Sequence, residues 1–583
     1  MIHTSLREAP RYYALSYTWG APFAGLPSEW DDPKATHTIH VDGHEFEVRW
    51  NLEAALKRMC KDEVTVMWID ALCINQSDIP EKNLQVQMMG EIYKNAWYTF
   101  VWLGPESDNC SSAQNAISRA IHSWDDRPEY LQRRSITAED GPEYRVFCHK
   151  DLELDTDLEY LRAFNCLLDR TWFRRVWIVQ EVVLSQNVLL IWGDRDRGRL
   201  ARWEWLDETV KLYTQHMYSC MMFQDLQVNK EALVQALFTT TQLATSFNRI
   251  NDLKRLVENG TSISLPWVLH TIRTFQASNS KDKVYAGLGI SSNCDMVRVN
   301  YNLTESDVFL DATRAYLETT NDLRILGLCV PSTLANLPSW SVDWMGCTGG
   351  HPLGSLRAVG SKTLYCAGGD VPASFKFEHG TSLFIRGVLL GVLSFVSMTE
   401  AREAFFGQPA CAETSLSLLM DFKAIQRAWL GNWINYQEQT GASQSHLEKY
   451  QWTQEDLWEA FARTLCADIM GNEMTQRRLG ENYSWSEENL KLLFQAVIPD
   501  VLSDRVFAAT SSLHFCLVRE DAQPGDVVFV AMGAETPYLL RPRDSGKYQF
   551  VGQCYVHGFM DGQAIEWMRM DDGRFTECEF EII

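Results

Sequence analysis

The sequence lacks closely spaced cysteines, a long apolar segment and any run of basic residues, and each absence excludes a class of protein. No two of its 15 cysteines lie closer than Cys60 and Cys73, which excludes a C-x-x-C zinc or redox pair and predicts reduced, mostly buried thiols. The longest uncharged apolar stretch, 387–398, is 12 residues long, short of the roughly 20 that a transmembrane helix needs. The net charge is -23 with no Lys/Arg-rich block, which argues against a nucleic-acid partner. We therefore expect a cytoplasmic protein without a metal site or a membrane span.

The motifs of several large enzyme classes are also missing. The sequence contains no GxxxxGK phosphate loop, no GxGxxG dinucleotide turn, no GxSxG nucleophile elbow and no HExxH zinc helix. No cofactor is therefore expected from a local motif.

The pattern of apolar residues changes along the chain, and 583 residues are too many for one ordinary core. Alternating strand-like and helix-like segments at the start predict an α/β domain, and the rest predicts a multi-domain α+β protein. We expect an α/β domain over 1–215 with an insertion at about 106–157, a helical region over 216–330, a mixed strand-rich segment over 331–412, a second helical region over 413–503 and a small β barrel or sandwich over 504–583.

Within the first domain, short apolar runs predict strands at about 12–17, 64–69, 97–103 and 187–192 in one mainly parallel sheet. Asp78 with Glu81 forms a capping-box pattern and predicts a helix after residue 78. The apolar run 170–184 is long enough to favour one helix over a strand. In the last domain, strands are expected at 515–518, 526–530, 538–540 and 548–555.

Glu181 is the most unusual polar residue of the predicted 170–184 helix. Arg170, Arg174, Trp177 and Glu181 would share one stripe of that helix. A carboxylate within the apolar run 176–184 is costly unless it is paired or functional. The residues leave two interpretations open: a functional carboxylate, or a buried ion-pair partner of an arginine.

Polar residues also follow two of the predicted strands. Asp70 and Asn75 come directly after the second strand, and Ser16 and Trp19 lie at the exit of the first. Ligands of open α/β sheets bind beyond the carboxyl ends of the strands, which makes all four candidates. Asp70 and Asn75 could equally satisfy backbone groups of the turn. Cys73 has no feature that lowers a thiol pKa, so core packing is favoured for it.

Three ordered segments carry a family resemblance. The segments YALSYTWG from Tyr13, WIDALCINQ from Trp68 and RTWFRRVWIVQE from Arg170 are similar to the motifs of the fungal heterokaryon-incompatibility (HET) family. The resemblance implies a role in non-self recognition and programmed cell death after hyphal fusion. HET domains in turn resemble TIR domains, some of which cleave NAD, and this implies a TIR-like fold for the first domain.

The TIR resemblance assigns roles to the candidate residues. The step from Trp177 to Glu181 equals the tryptophan-to-glutamate spacing around the catalytic glutamate of NAD-cleaving TIR domains. Glu181 is then the candidate catalytic residue, with NAD as substrate rather than cofactor, and the candidate substrate-binding residues are Ser16, Trp19, Asp70, Asn75 and Trp177. The alternative is a non-enzymatic module that self-associates or recruits protein partners to trigger death.

Overall fold

A computed structural model describes the chain in two compact units, Met1–Asn302 and Leu303–Ile583. The described residues are all except 60–65, 108–109, 126–134, 137–143, 146–153, 194–198, 223–230, 346–352, 354–362, 379, 399–424, 441–447, 472–476, 481–482, 487, 491–492, 494–496 and 571–572. Half of the expected insertion at 106–157 and about a third of the expected helical region at 413–503 lie outside them.

The first unit is built around a five-stranded sheet with the order β4-β1-β5-β8-β9. β1 pairs in parallel with β4 and β5, β5 pairs in parallel with β8, and only β9 runs antiparallel. The expectation of one mainly parallel sheet is thus confirmed; of the predicted strand 64–69, residues 64 and 65 lie outside the described residues, and β4 covers Met67–Trp68. The strands of this unit are β1 (Tyr13–Tyr17), β2 (Thr36–Val41), β3 (His44–Arg49), β4 (Met67–Trp68), β5 (Thr99–Trp102), β6 (Ser135–Ile136), β7 (Tyr144–Arg145), β8 (Val188–Trp192) and β9 (Arg199–Arg202).

Helices flank this sheet. The helix expected after residue 78 is present, and Asp78 caps it by accepting the backbone N–H of Glu81 at 3.1 Å. The helices of the unit are α1 (Trp50–Met59), α2 (Asp70–Cys73), α3 (Ile79–Asn95), α4 (Cys110–Asp125), α5 (Leu154–Leu168), α6 (Trp177–Val183), α7 (Trp203–Met222), α8 (Glu231–Glu258), α9 (Leu265–Ile272) and α10 (Asp282–Leu288).

The prediction of one helix over 170–184 is wrong. The segment is a 3₁₀ turn, Thr171–Arg174, followed by an extended Arg175 and then by α6. The break arises because the backbone bonds elsewhere: Val176 donates to the carbonyl of Gln276 at 2.8 Å, and Gln276 donates to the carbonyl of Arg174 at 2.6 Å. Tertiary pairing therefore overrides the helical pattern. Arg170 and Arg174 do not share a helical stripe with Glu181.

Alternation along β1 sends neighbouring side chains to opposite faces of the sheet. Leu15 and Tyr17 pack in a buried cluster with Leu52 and Ala55 of α1. Ser16 contacts α6 instead. The carboxyl end of β1 therefore places side chains in two environments, an apolar one against α1 and a polar one against α6.

The second unit contains a nine-stranded sheet in which β16-β17-β18-β20-β11 closes on itself through a β11–β16 pairing. All four strands expected after residue 515 are present. The apolar stretch 387–398 belongs mainly to the long strand β11, so the sheet also draws on the segment before 412. The strands are β10 (Phe375–Glu378), β11 (Ser382–Val396), β12 (Ile469–Met470), β13 (Arg477–Arg478), β14 (Arg505–Thr510), β15 (Phe515–Arg519), β16 (Val527–Ala531), β17 (Tyr538–Pro542), β18 (Tyr548–Gln553), β19 (Tyr555–Val556) and β20 (Glu577–Ile582).

The helices of the second unit are α11 (Glu305–Thr320), α12 (Gly431–Gln439), α13 (Leu457–Leu465), α14 (Ile498–Val501) and α15 (Gln563–Arg569). In the described part of the chain, no helix combines the length and apolar character that crossing a bilayer requires.

Candidate functional site

Glu181 and Ser16 meet inside the first unit although 165 residues separate them. The Ser16 hydroxyl donates to Oε2 of Glu181, and both side chains are buried, with exposed fractions of 1% and 4%. Trp172, also buried, donates its indole N–H to the Ser16 oxygen at 2.7 Å. Because the indole can only donate, it leaves the Ser16 proton for the carboxylate. The three residues form an oriented chain of hydrogen bonds that ends at Glu181.

The charge of Glu181 is balanced between opposing effects. Burial raises the pKa of Glu181 to about 7 from an ordinary 4.5, and the Asp70 carboxylate adds to the rise. The positive charge of Arg175 and the hydrogen bond from Ser16 lower the same pKa. Near neutral pH the carboxyl therefore populates its charged and neutral forms in comparable amounts, the condition that suits a general acid or base.

Arg175 is the cation of the site. Its guanidinium donates to the backbone carbonyl of Tyr17 at the end of β1. Its charge lowers the pKa values of Glu181, Asp70 and Asp282. No side chain among the described residues forms an ion pair with Glu181 within 4 Å, so Arg175 acts on it through space. Three carboxyl groups thus lie within electrostatic range of one guanidinium.

Asp70 and Trp19 form the edge of the site at the strand ends. Trp19 donates its indole N–H to Oδ2 of Asp70 at 2.9 Å, and the backbone N–H of Ala71 donates to Oδ1 at 2.7 Å. Burial raises the pKa of the Asp70 carboxyl, while Arg175 and the two donors lower it. Both Trp19 and Asp70 are half-buried, so this edge faces solvent more than Glu181 does.

Trp177 lies one helical turn before Glu181 in α6, and its indole contacts Asp282. Its indole N–H donates to Oδ2 of Asp282 at 3.0 Å, and the Tyr301 hydroxyl donates to Oδ1 at 2.6 Å. Burial raises the pKa of Asp282, whereas these two donors and the charges of Lys82 and Arg175 lower it. The polar cluster therefore extends from α6 to the start of α10.

Two sequence candidates have local roles. Asn75 is exposed, and its side-chain oxygen accepts the backbone N–H of Ser77 at 3.2 Å, the bond expected if it only serves the turn. Burial raises the pKa of the Cys73 thiol, which opposes formation of a nucleophilic thiolate. The structure thus joins Ser16 to Glu181 and Trp19 to Asp70, and it keeps Asn75 at the surface.

Several contacts fix the position of α6. The Lys254 ammonium, nearly buried, donates to the carbonyls of Val182 at 3.3 Å and Ser185 at 2.7 Å, where a helix C-terminus favours positive charge. Gln180 packs tightly beside Gly90 of α3 and Gly289. A Cβ on Gly289 would lie only 2.1 Å from the Nε2 atom of Gln180. Glu181 therefore projects from a helix held at its end and on its side.

Four residues that contribute to the site were not predicted from the sequence: Trp172, Arg175, Asp282 and Tyr301. Arg175 and Glu181 are six positions apart, which would place them on different faces of a continuous helix; the extended backbone at Arg175 brings them together. Asp282 and Tyr301 come from the far end of the unit, and no spacing rule connects them to α6.

Comparison with known proteins covers both units. The family model described as heterokaryon incompatibility protein (HET) matches residues 12–181, and the model for the Het-6 beta-barrel domain matches residues 424–573. Heterokaryon incompatibility protein 6, OR allele, from Neurospora crassa is 22% identical in an alignment that covers 98% of this chain and 92% of that protein. No solved structure matches the chain significantly. The HET match begins one residue before β1 and ends at Glu181, so it contains every residue of the site except Asp282 and Tyr301.

Proposed function

We propose, from the premise that this chain is a fungal HET-domain protein, that it acts in heterokaryon incompatibility as a trigger of cell death. The HET match over residues 12–181 and the similarity to heterokaryon incompatibility protein 6 of Neurospora crassa support this role. The proposal includes action through protein partners and self-association. Binding studies would identify the partners and establish the state of self-association.

We further propose that the first unit kills by hydrolysing NAD at Glu181. The observation that carries this proposal is the buried carboxyl of Glu181, held by Ser16 and Trp172 and set near neutrality by burial against Arg175. In the reaction, the bond from the nicotinamide nitrogen to the ribose carbon breaks, and its electron pair leaves on nitrogen. Water adds to the cationic ribose carbon and loses a proton, which gives nicotinamide, ADP-ribose and a proton.

The site has the charge that this reaction needs. Positive charge develops on the ribose in the transition state, and an oriented carboxylate stabilises it without reorganising. Glu181 supplies that carboxylate and accepts the proton of the attacking water. Asp70 and Asp282 add negative potential, whereas Trp19 and Trp177 offer aromatic surface at the half-buried edge.

A second candidate function, the non-enzymatic module, is favoured by one observation. Glu181 is only 4% exposed and already holds a hydrogen bond from Ser16. A carboxyl used only to tie α6 to β1 would have the same contacts. The two functions differ in whether NAD is consumed.

The deciding experiment measures NAD loss by purified protein and survival of a fungal host on inducible expression. E181Q keeps the size of the side chain and removes its charge, so we expect it to abolish both NAD loss and killing. E204Q, which changes an exposed glutamate of α7, is the matched control and should behave as wild type. Killing retained by E181Q with a large fall in melting temperature would show that Glu181 has a structural role. Killing by wild type without NAD loss would favour the non-enzymatic module.

A further inference from the structure

A cavity of about 750 Å³ lies in the first unit at the carboxyl ends of the central strands. Trp102 ends β5 and Gly193 follows β8, and both line the cavity together with Leu72 of α2. The opposite wall comes from Ala54 and Leu56 of α1 and from Ile39 of β2. The lining is therefore predominantly apolar.

This cavity is separate from the Glu181 site. Trp102 and Leu72 belong to the cluster that contains Leu15 and Tyr17, on the α1 face of the sheet. Ser16 points to the other face, where it meets Glu181. A ligand in the cavity would not contact the hydrogen-bond chain described above.

The last turn of α1 brings positive charge to the cavity wall. Lys57, Arg58 and Glu53 line it, and Glu53 pairs with Lys57 at 2.8 Å, which leaves Arg58 as the cation without a carboxylate partner in the lining. The Nε of Arg58 is buried and has no acceptor among the residues that the structure describes. Burial lowers the pKa of Arg58, which is a cost that an anionic ligand would relieve. A guanidinium whose buried Nε has no acceptor among the described residues, next to an apolar cavity, points to a ligand that is part apolar and part anionic.

We propose that this cavity binds a nucleoside phosphate, with the base against the apolar walls and the phosphate on Arg58. The cavity volume is in the range of small-molecule sites, roughly 300–1,000 Å³. A guanidinium matches phosphate oxygens with two parallel N–H donors. The cavity also lies beyond the carboxyl ends of parallel strands, where open α/β sheets bind their ligands. The site goes beyond the proposed reaction, because it uses none of the residues assigned to it.

Calorimetric titration of the full chain with AMP tests the proposal. We expect AMP to bind, and adenosine or inorganic phosphate alone to bind at least about tenfold more weakly, because each fills only half of the site. R58Q should weaken AMP binding by about tenfold or more through the lost charged hydrogen bonds. A54L, which fills the cavity and leaves Arg58 in place, should weaken it as well.

Two control variants should leave AMP binding unchanged. R7Q removes an exposed arginine outside the cavity and should bind AMP as wild type does. E181Q should also keep AMP binding, so a failure of NAD hydrolysis leaves this result unaffected. The proposal would be overturned by absence of AMP binding at millimolar concentration or by normal AMP binding in both R58Q and A54L. It would also be overturned if laurate, a fatty-acid anion that is likewise part apolar and part anionic, bound more tightly than AMP.

Discussion

The pKa of Glu181 depends on burial, which raises it, and on two neighbours, Arg175 and Ser16, which lower it. Apolar burial penalises the charged form, and Arg175 restores part of what burial removes. Ser16 adds a hydrogen bond that favours the carboxylate, and Trp172 fixes the direction of that bond. A carboxyl in this balance responds strongly to pH and to the loss of either neighbour.

The pH dependence of stability tests the state of Glu181. Because burial raises its pKa to about 7 from 4.5, the folded chain binds more protons than the unfolded chain between those values. The contribution of Glu181 to stability is full below pH 4.5 and is lost as pH rises through 7, by up to about 3 kcal/mol. We therefore expect wild type to lose melting temperature relative to E181Q between pH 5 and pH 8. Parallel curves for the two proteins would contradict the raised pKa, and E204Q serves as the control.

Removing the charge of Arg175 should move that titration. R175Q takes away the cation that lowers the pKa of Glu181, so the carboxyl should ionise at higher pH. The melting-temperature difference between R175Q and R175Q carrying E181Q should have its pH midpoint at a higher pH than the difference between wild type and E181Q. The pH midpoint of NAD loss, where it is measured, should shift in the same direction. R174Q is a matched control, since Arg174 is exposed and pairs with Asp169. An equal shift in both variants would assign the effect to net charge rather than to Arg175.

The sequence predicted part of this site because two of its signals are local. A carboxylate inside an apolar run marks Glu181, a polar residue directly after an apolar strand marks Asp70, and a polar residue near the end of such a strand marks Ser16. The contribution of Arg175 depends on a backbone break caused by pairing with Gln276, and such a long-range cause leaves no local pattern. The NAD reaction came only from family resemblance.

At the scale of elements, close packing holds α6 in position. Gly90 of α3 and Gly289 at the end of α10 approach so closely that a Cβ on Gly289 would lie 3.1 Å from the Gly90 Cα. Gln180 of α6 fills the remaining space and is almost completely buried. The absence of side chains on these glycines lets three helices meet beside Glu181.

G289A tests this packing. Its methyl group would collide with both the buried Gln180 amide and the backbone of α3, so we expect a loss of about 1–3 kcal/mol in stability. G431A is the matched control, because a Cβ at Gly431 meets nothing within 4 Å. In the helix α12 that change should be neutral or stabilising by up to about 1 kcal/mol. Thermal melting of both variants provides the comparison, and equal melting temperatures would contradict the tight contact.

The elements that the sequence predicted best are those set by short-range patterns. The parallel strands of the first unit and the strands after residue 515 follow apolar runs bounded by turn residues. The interrupted helix near Arg175 and the inclusion of β11 in the second sheet depend on partners distant in the chain. Local periodicity cannot report such partners.

At the scale of the whole molecule, the chain divides at Asn302 into two compact units. The boundaries expected at 215, 330, 412 and 503 stay predictions. Residue 215 lies within α7, and α8 beyond it packs against α5, α6 and α7. The Glu181 site also depends on this later segment, because Lys254 holds the end of α6 and Asp282 binds Trp177.

These contacts predict which fragment of the chain folds. A fragment of residues 1–302 keeps α7 to α10, the Lys254 cap and the Tyr301 partner of Asp282, so it should melt cooperatively and retain any NAD loss of the full chain. A fragment of residues 1–215 cuts through α7 and lacks α8, whose buried Phe247 and Leu253 help to cover the apolar faces of the elements that α8 packs against. Losing so much buried apolar surface should leave it unfolded or aggregated, since burial of such surface is the main favourable term in folding. Circular dichroism melts and size-exclusion chromatography of the two fragments make the comparison. Equal stability of both would show that the helices after residue 215 do not support the sheet, and the Glu181 site would then have to persist without Lys254 and Asp282.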